Sequence, residues 1–260
     1  MTKRHRSFSQ FKSFTRCGEQ YRLVRTLDLP KGPSAAMALG SAFHSNYEEW
    51  EIGGREWPLA ERFSGHYDVK IKQQLEEQPN LNYWRKTAKV KEVETDIAIR
   101  EQNGLLMSES YEEHCANSQW RVFTLGTQLG LEYSFDLDLG DFTFRGAIDS
   151  LLVWPSGNVT IRDLKTGVRE TSGFQLGVYA YALRRAVVPV GVQYGEFYYT
   201  KDGKSEDYNL GRYTDIYVED QLTKLDKMIL NEEYLVNPGP QCYNCDVKDW
   251  CREMGHLYDA

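Results

Sequence analysis

No apolar run in this 260-residue chain approaches the roughly 20 residues that cross a bilayer, so no membrane-spanning helix is expected. The opening stretch MTKRHRSFSQ is basic but lacks the apolar segment of a secretory signal, and the expectation is a cytoplasmic protein. A G-x-x-x-x-G-K-[ST] phosphate loop is missing, which argues against an intrinsic ATP-driven motor. Internal repeats, low-complexity tracts and domain linkers are also absent. Hydrophobic residues make up 41%, an ordinary globular share, and the length suits one large domain or a domain with an insertion. Basic charge is in deficit: the formal net charge of -7 argues against generic nucleic-acid binding. That charge is unevenly spread. Lys3, Arg4, Arg6, Lys12, Arg16, Arg22 and Arg25 open the chain against Glu19 alone. Such a basic arm on an acidic body can follow a phosphate backbone or simply form a solvated helix face.

Cysteine is scarce but clustered. Of five, Cys242, Cys245 and Cys251 form a tight C-x2-C-x5-C trio. In a reducing compartment such clustering points to a metal rather than a disulfide, and a four-ligand site needs one more thiolate. Cys17 and Cys115 are the two candidates, and spacing alone leaves tetrahedral zinc and an iron–sulfur cluster both open.

The chain is organised around Phe144 to Gly167, FRGAIDSLLVWPSGNVTIRDLKTG. At period two, Phe142, Phe144, Gly146 and Ile148 share one face, and Arg145, Ala147 and Asp149 the other. A Pro-Ser-Gly-Asn turn at 155–158 leads into a second strand, Val159 to Lys165, on which Asp163 and Lys165 share a face. An antiparallel pair brings Asp149 toward that face. Carboxylate oxygens suit Mg²⁺ or Mn²⁺, and a neighbouring lysine can orient water and offset phosphate charge. A surface salt bridge beside a hairpin is the plain alternative.

Upstream, Ser7 to Leu27 reads as one or two helices, and Ser34 caps a helix through about Glu51 with Gly40 and His44 one turn apart. Residues 54–118 are polar and helical in pattern, two or three helices forming an insertion or cap, with Pro58 near one helix start and Pro79-Asn80 as a break. Within it, Trp84-Arg-Lys and Lys86, Lys89 and Lys91 read as a solvated face, with contact to a substrate as the alternative, and Cys115 receives no role. From Arg121 the pattern turns to strand, and Leu131 to Leu139 alternates with Glu132 on the polar face. Thr171-Ser172 caps a helix to about Ala186 with Gln175 and Tyr179 on one face. A strand over Gly191–Thr200 and a long helix from Asp215 to about Val236 follow. Pro238-Gly-Pro240 ends that helix and delivers the cysteine trio.

Ser7-x-Ser9-x-Phe11 through Cys17, Gly40-Ser-Ala-Phe-His44, Gly146-Ala-Ile-Asp149, Asp163-Leu-Lys165-Thr-Gly167, Gln175-Leu-Gly-Val-Tyr179 and the cysteine trio occur in that order. In this series the chain resembles the RecB-family branch of PD-(D/E)XK nucleases. The likeness is greatest to its stand-alone iron–sulfur members: CRISPR-associated prespacer-processing exonucleases, their phage relatives and the AddB-type nuclease domain. Two departures are Gly18, where the family commonly has proline after the first cysteine, and the lack of a proline before Asp149.

The resemblance implies an α/β fold over 1–260: a mixed sheet flanked by helices, with a helical insertion and a cysteine cluster joining the terminal segments. Its expected parts are N-terminal helices at 1–53, the insertion at 54–118, catalytic sheet and helices at 119–236, and a cluster segment at 237–260. His44, Asp149, Asp163 and the Leu164 carbonyl are implied as ligands of one or two divalent cations, with an imidazole shifting preference from Mg²⁺ toward Mn²⁺. Lys165 is implied to position the attacking water, Gln175 and Tyr179 to contact substrate (packing of the helix against the sheet being their plain alternative), and Glu132 to support a ligand or water. Cys17 joins Cys242, Cys245 and Cys251 around a 4Fe–4S cluster, zinc being the alternative. The expected function is a metal-dependent DNA exonuclease acting on single-stranded ends in recombination, repair or CRISPR adaptation. Rival readings are a non-catalytic DNA-end-binding subunit of a recombination or spacer-acquisition complex, and a structure-specific endonuclease. Seventeen tyrosines and six tryptophans offer stacking surfaces for DNA.

Overall fold

The computed structural model describes residues 3–254 apart from 30, 88, 187 and 188. The ends of the expected 1–53 and 237–260 segments, and Pro30 in the loop after the N-terminal helices, lie outside the described residues. In chain order come β1 (Arg4–Ser7), α1 (Phe8–Arg16), α2 (Gly18–Tyr21) and a π-helical turn at Arg22–Thr26. Then follow α3 (Ala35–Ile52), α4 (Phe63–Glu77) and α5 (Val93–Ala116). The strand region holds β2 (Arg121–Val122), β3 (Thr124–Leu125), β4 (Gln128–Leu129), β5 (Leu131–Asp138), β6 (Phe142–Val153) and β7 (Val159–Lys165). Next are α6 (Phe174–Arg184), β8 (Tyr194–Tyr199), β9 (Lys204–Asn209) and α7 (Asp215–Leu230). Short 3₁₀ turns then carry the chain through the cysteines.

The architecture is the expected mixed sheet flanked by helices. β6 and β7 are antiparallel, β7 and β8 parallel, β8 and β9 antiparallel, and β1 runs parallel to β6. β2 and β5 also pair with β6. Because parallel neighbours need a crossover, α6 joins β7 to β8 as a βαβ unit, and most of its side chains are buried. The caps follow side-chain chemistry: Ser7 Oγ accepts from the Gln10 N–H at 3.4 Å, and Ser34 Oγ from the Met37 N–H at 3.2 Å.

The chain divides into two compact units. One comprises 1–32, 135–146 and 214–260. Its core packs Phe14 and Tyr21 against Leu225 and Ile229, with the Phe14 and Tyr21 rings edge-on at 5.5 Å. Buried Asp226 on α7 accepts hydrogen bonds from Arg4 at 2.9 Å and Arg6 at 2.8 Å, which anchors β1. A second apolar cluster joins Leu23 and Val24 to Val247 beside Cys245 and Cys251. The other unit comprises 33–134 and 147–213. Its core packs Phe43, Tyr47 and Tyr111 from α3 and α5 against Leu152, Leu164 and Tyr198 from the strands.

Three local expectations change. β1 precedes the first helix where only helix was expected; its sequence RHRS has no apolar alternation and forms a strand because β6 offers an edge and Asp226 two charge partners. α7 ends at Leu230 and not near Val236, since Glu232 has φ 56°, a left-handed conformation that right-handed helix cannot continue. α6 starts after Gly173, with Ser172 Oγ accepting the Phe174 N–H at 3.2 Å.

Candidate active site

His44 sits on α3, held close to the end of β7 by the glycine one turn before it. A Cβ built on Gly40 would stand 3.1 Å from Thr166 Oγ1, so any larger residue here would need the Thr166 side chain to give by a few tenths of an ångström. The glycine of the second motif serves packing too: a Cβ on Gly146 would meet the Phe135 ring at 2.5 Å. From this seat His44 Nδ1 lies 3.2 Å from Glu132 Oε1 and 3.7 Å from Asp149 Oδ2. Its Nε2 lies 3.2 Å from the Leu164 carbonyl oxygen. Asp149 Oδ2 in turn accepts the Leu164 N–H at 2.7 Å. The backbone of one β7 residue, Leu164, therefore braces both side chains.

His44, Glu132 and Asp149 each present a donor atom within 4.8 Å of the others, the one such group among the described residues. Glu132 reaches it through a left-handed backbone, φ 42°, which costs about 1–3 kcal/mol in a non-glycine residue and turns a strand side chain out of simple alternation. Asp163 follows Arg162, which pairs with Ser150, so Asp163 comes beside Asp149 across the antiparallel ladder. Its Oδ2 forms an ion pair with Lys165 Nζ at 2.6 Å. Lys165 also donates to Gln175 Oε1 at 2.9 Å, and Gln175 Nε2 donates to Tyr179 Oη at 2.7 Å. Glu170, which sequence reasoning did not single out, lies 3.7 Å from the same ammonium. Its only signal was an acid five residues beyond the motif lysine.

Electrostatics bind these groups into one site. Burial, then the charge of Asp163, raises the Asp149 carboxyl above its usual range, with His44 opposing. Burial likewise raises Asp163, with Lys165 opposing. Burial disfavours the His44 imidazolium, but Asp149, Glu132 and Asp163 outweigh it and push His44 up to about 9. Crowded carboxylates held above their normal pKa are what a divalent cation would relieve, and imidazole with carboxylate and carbonyl oxygens is a donor set that Mn²⁺ or Mg²⁺ accepts. An open cleft of about 690 Å³ leads to the site between α3 and the loop after β7, lined by Gly40, Ser41, His44, Glu48, Glu132 and Thr166.

The four expected cluster cysteines, Cys17, Cys242, Cys245 and Cys251, line one small cavity with Arg16, Leu23 and Val247. Burial raises the Cys245 thiol, and Cys17 adds to the rise. Among the described residues no group with three donors inside 4.8 Å contains a cysteine. Cys115 is buried on α5 with its thiol raised to about 12 by burial, an inert core residue.

The family model described as the PD-(D/E)XK nuclease superfamily matches residues 5–252. The chain is 28% identical over 260 residues to the Gene 69 protein of Mycobacterium phage D29, covering 95% of this chain and 96% of that protein. It is 27% identical over 277 aligned positions to the Gene 69 protein of Mycobacterium phage L5, covering 95% of each. Among solved structures, the crystal structure of SSO0001 is similar with a TM-score of 0.42 and 11% identity, over 98% of this chain and 88% of that one. Among the described residues no helix is long and apolar enough to cross a membrane.

Proposed function

The chain belongs to the PD-(D/E)XK nuclease superfamily, and from that premise we propose that it is a divalent-metal-dependent deoxyribonuclease of the RecB type, removing nucleotides from single-stranded DNA ends. The observation that carries this reading is the meeting of His44, Glu132 and Asp149 around one point, with the Asp163–Lys165 pair beside them. His44, Asp149 and Asp163, with the Leu164 carbonyl, would hold Mn²⁺ or Mg²⁺, and Glu132 joins them as a further donor. A cation bound there neutralises phosphate charge and acidifies water, which phosphodiester hydrolysis requires.

Lys165 contributes a fixed positive charge. Burial disfavours its ammonium, but Asp163 and Glu170 outweigh that and raise its pKa, so it stays protonated through neutral pH. Asp163 and Gln175 together set its direction, and Tyr179 sets that of Gln175. In this reading Lys165 orients the attacking water and offsets charge building on the phosphoryl oxygens, and in-line attack leaves a 5′-phosphate and a 3′-hydroxyl. Gln175 and Tyr179 border the bound strand. The span 1–260 acts as one nuclease domain, and Cys17, Cys242, Cys245 and Cys251 hold a 4Fe–4S cluster with a structural role. Likeness along nearly the whole chain to two mycobacteriophage proteins supports a phage setting, and within it recombination or repair of phage DNA is the role proposed.

The test is hydrolysis of oligonucleotides labelled at the 5′ or the 3′ end, with Mn²⁺, alongside circular single-stranded DNA. Asp163→Ala and Lys165→Ala should each lower turnover on the order of a hundredfold or more. Wild-type turnover in either variant rejects the assignment, and cleavage of the circle replaces an exonuclease with an endonuclease.

A further inference from the structure

The basic segment after Tyr83 reads from sequence as a solvated face or a substrate contact, and its first part, Trp84 to Thr87, is pinned in place. Asp96 on α5, 2% exposed, accepts from the Thr87 N–H at 3.1 Å and from Thr87 Oγ1 at 2.9 Å. Arg100 donates to Thr87 Oγ1 at 2.7 Å. Trp84 is buried, with its Nε1–H donated to the Gln78 carbonyl at 2.8 Å. Between these anchors Arg85 is docked on the start of α3. Its N–H donates to the Pro33 carbonyl at 2.8 Å, and its Nη2 lies 2.8 Å from Met37 Sδ. Lys86, Lys89 and Lys91 stand exposed on the same segment, and Tyr83 beside it is 65% exposed.

Met37 also lines the cleft that ends at His44 and Glu132. Between Met37 and His44 the cleft face of α3 carries only Gly40 and Ser41, which leave room and offer a hydroxyl. The two ends of this face are two helical turns apart, about 10 Å along the axis. About three nucleotides stacked at ~3.4 Å each span that distance.

We propose that Tyr83 and the row Arg85, Lys86, Lys89 and Lys91 form the entry track for a single DNA strand. Arg85 takes a phosphate about three nucleotides from the scissile bond, and Tyr83 stacks a base. One basic row with one exposed aromatic suits a strand whose bases are unpaired, because a duplex keeps those faces stacked. The proposal rests on the nuclease reading for what lies at the end of the track.

The experiment measures anisotropy of fluorescein-labelled oligothymidine and of a duplex of equal length in EDTA across a salt series, then hydrolysis with Mn²⁺. Arg85→Gln should reduce the slope of log affinity against log salt by about 0.7, one phosphate contact, and Arg85→Lys should restore it. Tyr83→Ala should weaken oligothymidine binding about tenfold and leave the duplex unchanged. A methylphosphonate at the third linkage from the cut should slow wild type and not Arg85→Gln. An unchanged salt slope in Arg85→Gln overturns the track, and equal loss on both DNAs overturns its single-strand character. Intact binding differences without hydrolysis by wild type uphold the track and count against the nuclease reading alone.

Discussion

Both ring nitrogens of His44 are engaged, Nδ1 by Glu132 and Nε2 by the Leu164 carbonyl, and three carboxylates hold its pKa at about 9. Without metal at pH 7 the ring is therefore an imidazolium, and a cation must displace its proton to use a ring nitrogen. The sign follows: Mn²⁺ binding releases protons at pH 7, and apparent affinity rises as pH climbs toward 9. Calorimetric titration in two buffers of different ionisation enthalpy measures that release; identical heats in both would remove His44 from the ligands. At this scale the sequence was informative wherever chemistry needs residue types at set spacing. Gly40 and His44, Asp149, and Asp163 with Lys165 could be picked out because helix and strand periods place them. The weight of Glu132 could not, since nothing in Leu131-Glu132-Tyr133 announces a left-handed backbone. Glu170 was hidden for a similar reason, because it lies in a loop whose path no period describes.

Among the elements, β7 carries two chemistries on its two faces. Asp163 and Lys165 look toward the site, while Arg162, 1% exposed, looks into the helical layer. Its Nε donates to Glu196 on β8 at 2.6 Å, its Nη1 to the Tyr111 hydroxyl at 3.2 Å, and its Nη2 to His114 Nε2 at 3.3 Å. Burial and the charge of Arg162 lower the His114 pKa, consistent with a neutral ring accepting that bond. The guanidinium also stands 4.5 Å from the Trp120 ring centre. Removing one partner of such a pair strands a buried charge. Arg162→Met should lower unfolding stability by about 3–5 kcal/mol, read from the denaturant midpoint, and adding Glu196→Leu should recover most of it. A midpoint unmoved by Arg162→Met would show that Glu196 finds another partner. From sequence the elements with an apolar period emerge well, as the cap at Ser34 and the hairpin at 155–158 illustrate. Elements specified by distant partners do not: RHRS becomes β1 through the edge of β6 and through Asp226, two hundred-odd residues away in sequence.

For the whole molecule, chain order and spatial grouping diverge. One unit draws on three separate stretches, and both the start and the end of the described chain contribute cysteines to its cavity. Protein purified without oxygen should be brown, with iron and sulfide near four per chain by elemental analysis if the group is 4Fe–4S, and Cys245→Ser should bleach it. A colourless preparation with one zinc would overturn the cluster. The trio's spacing made the cysteine group visible in sequence, but its membership of a different unit from His44, Asp149 and Asp163 was not, because no linker marks a unit assembled from pieces.

That assembly has a consequence for synthesis. Phe14 and Tyr21 rest on Leu225 and Ile229, which leave the ribosome about 200 residues later. At ~5–20 residues per second, the delay is roughly 10–40 s. For that interval the first helices have an apolar side with nothing to cover it and a lone thiol at Cys17. Slowed translation between the two stretches should therefore lengthen the window in which the nascent chain aggregates or oxidises.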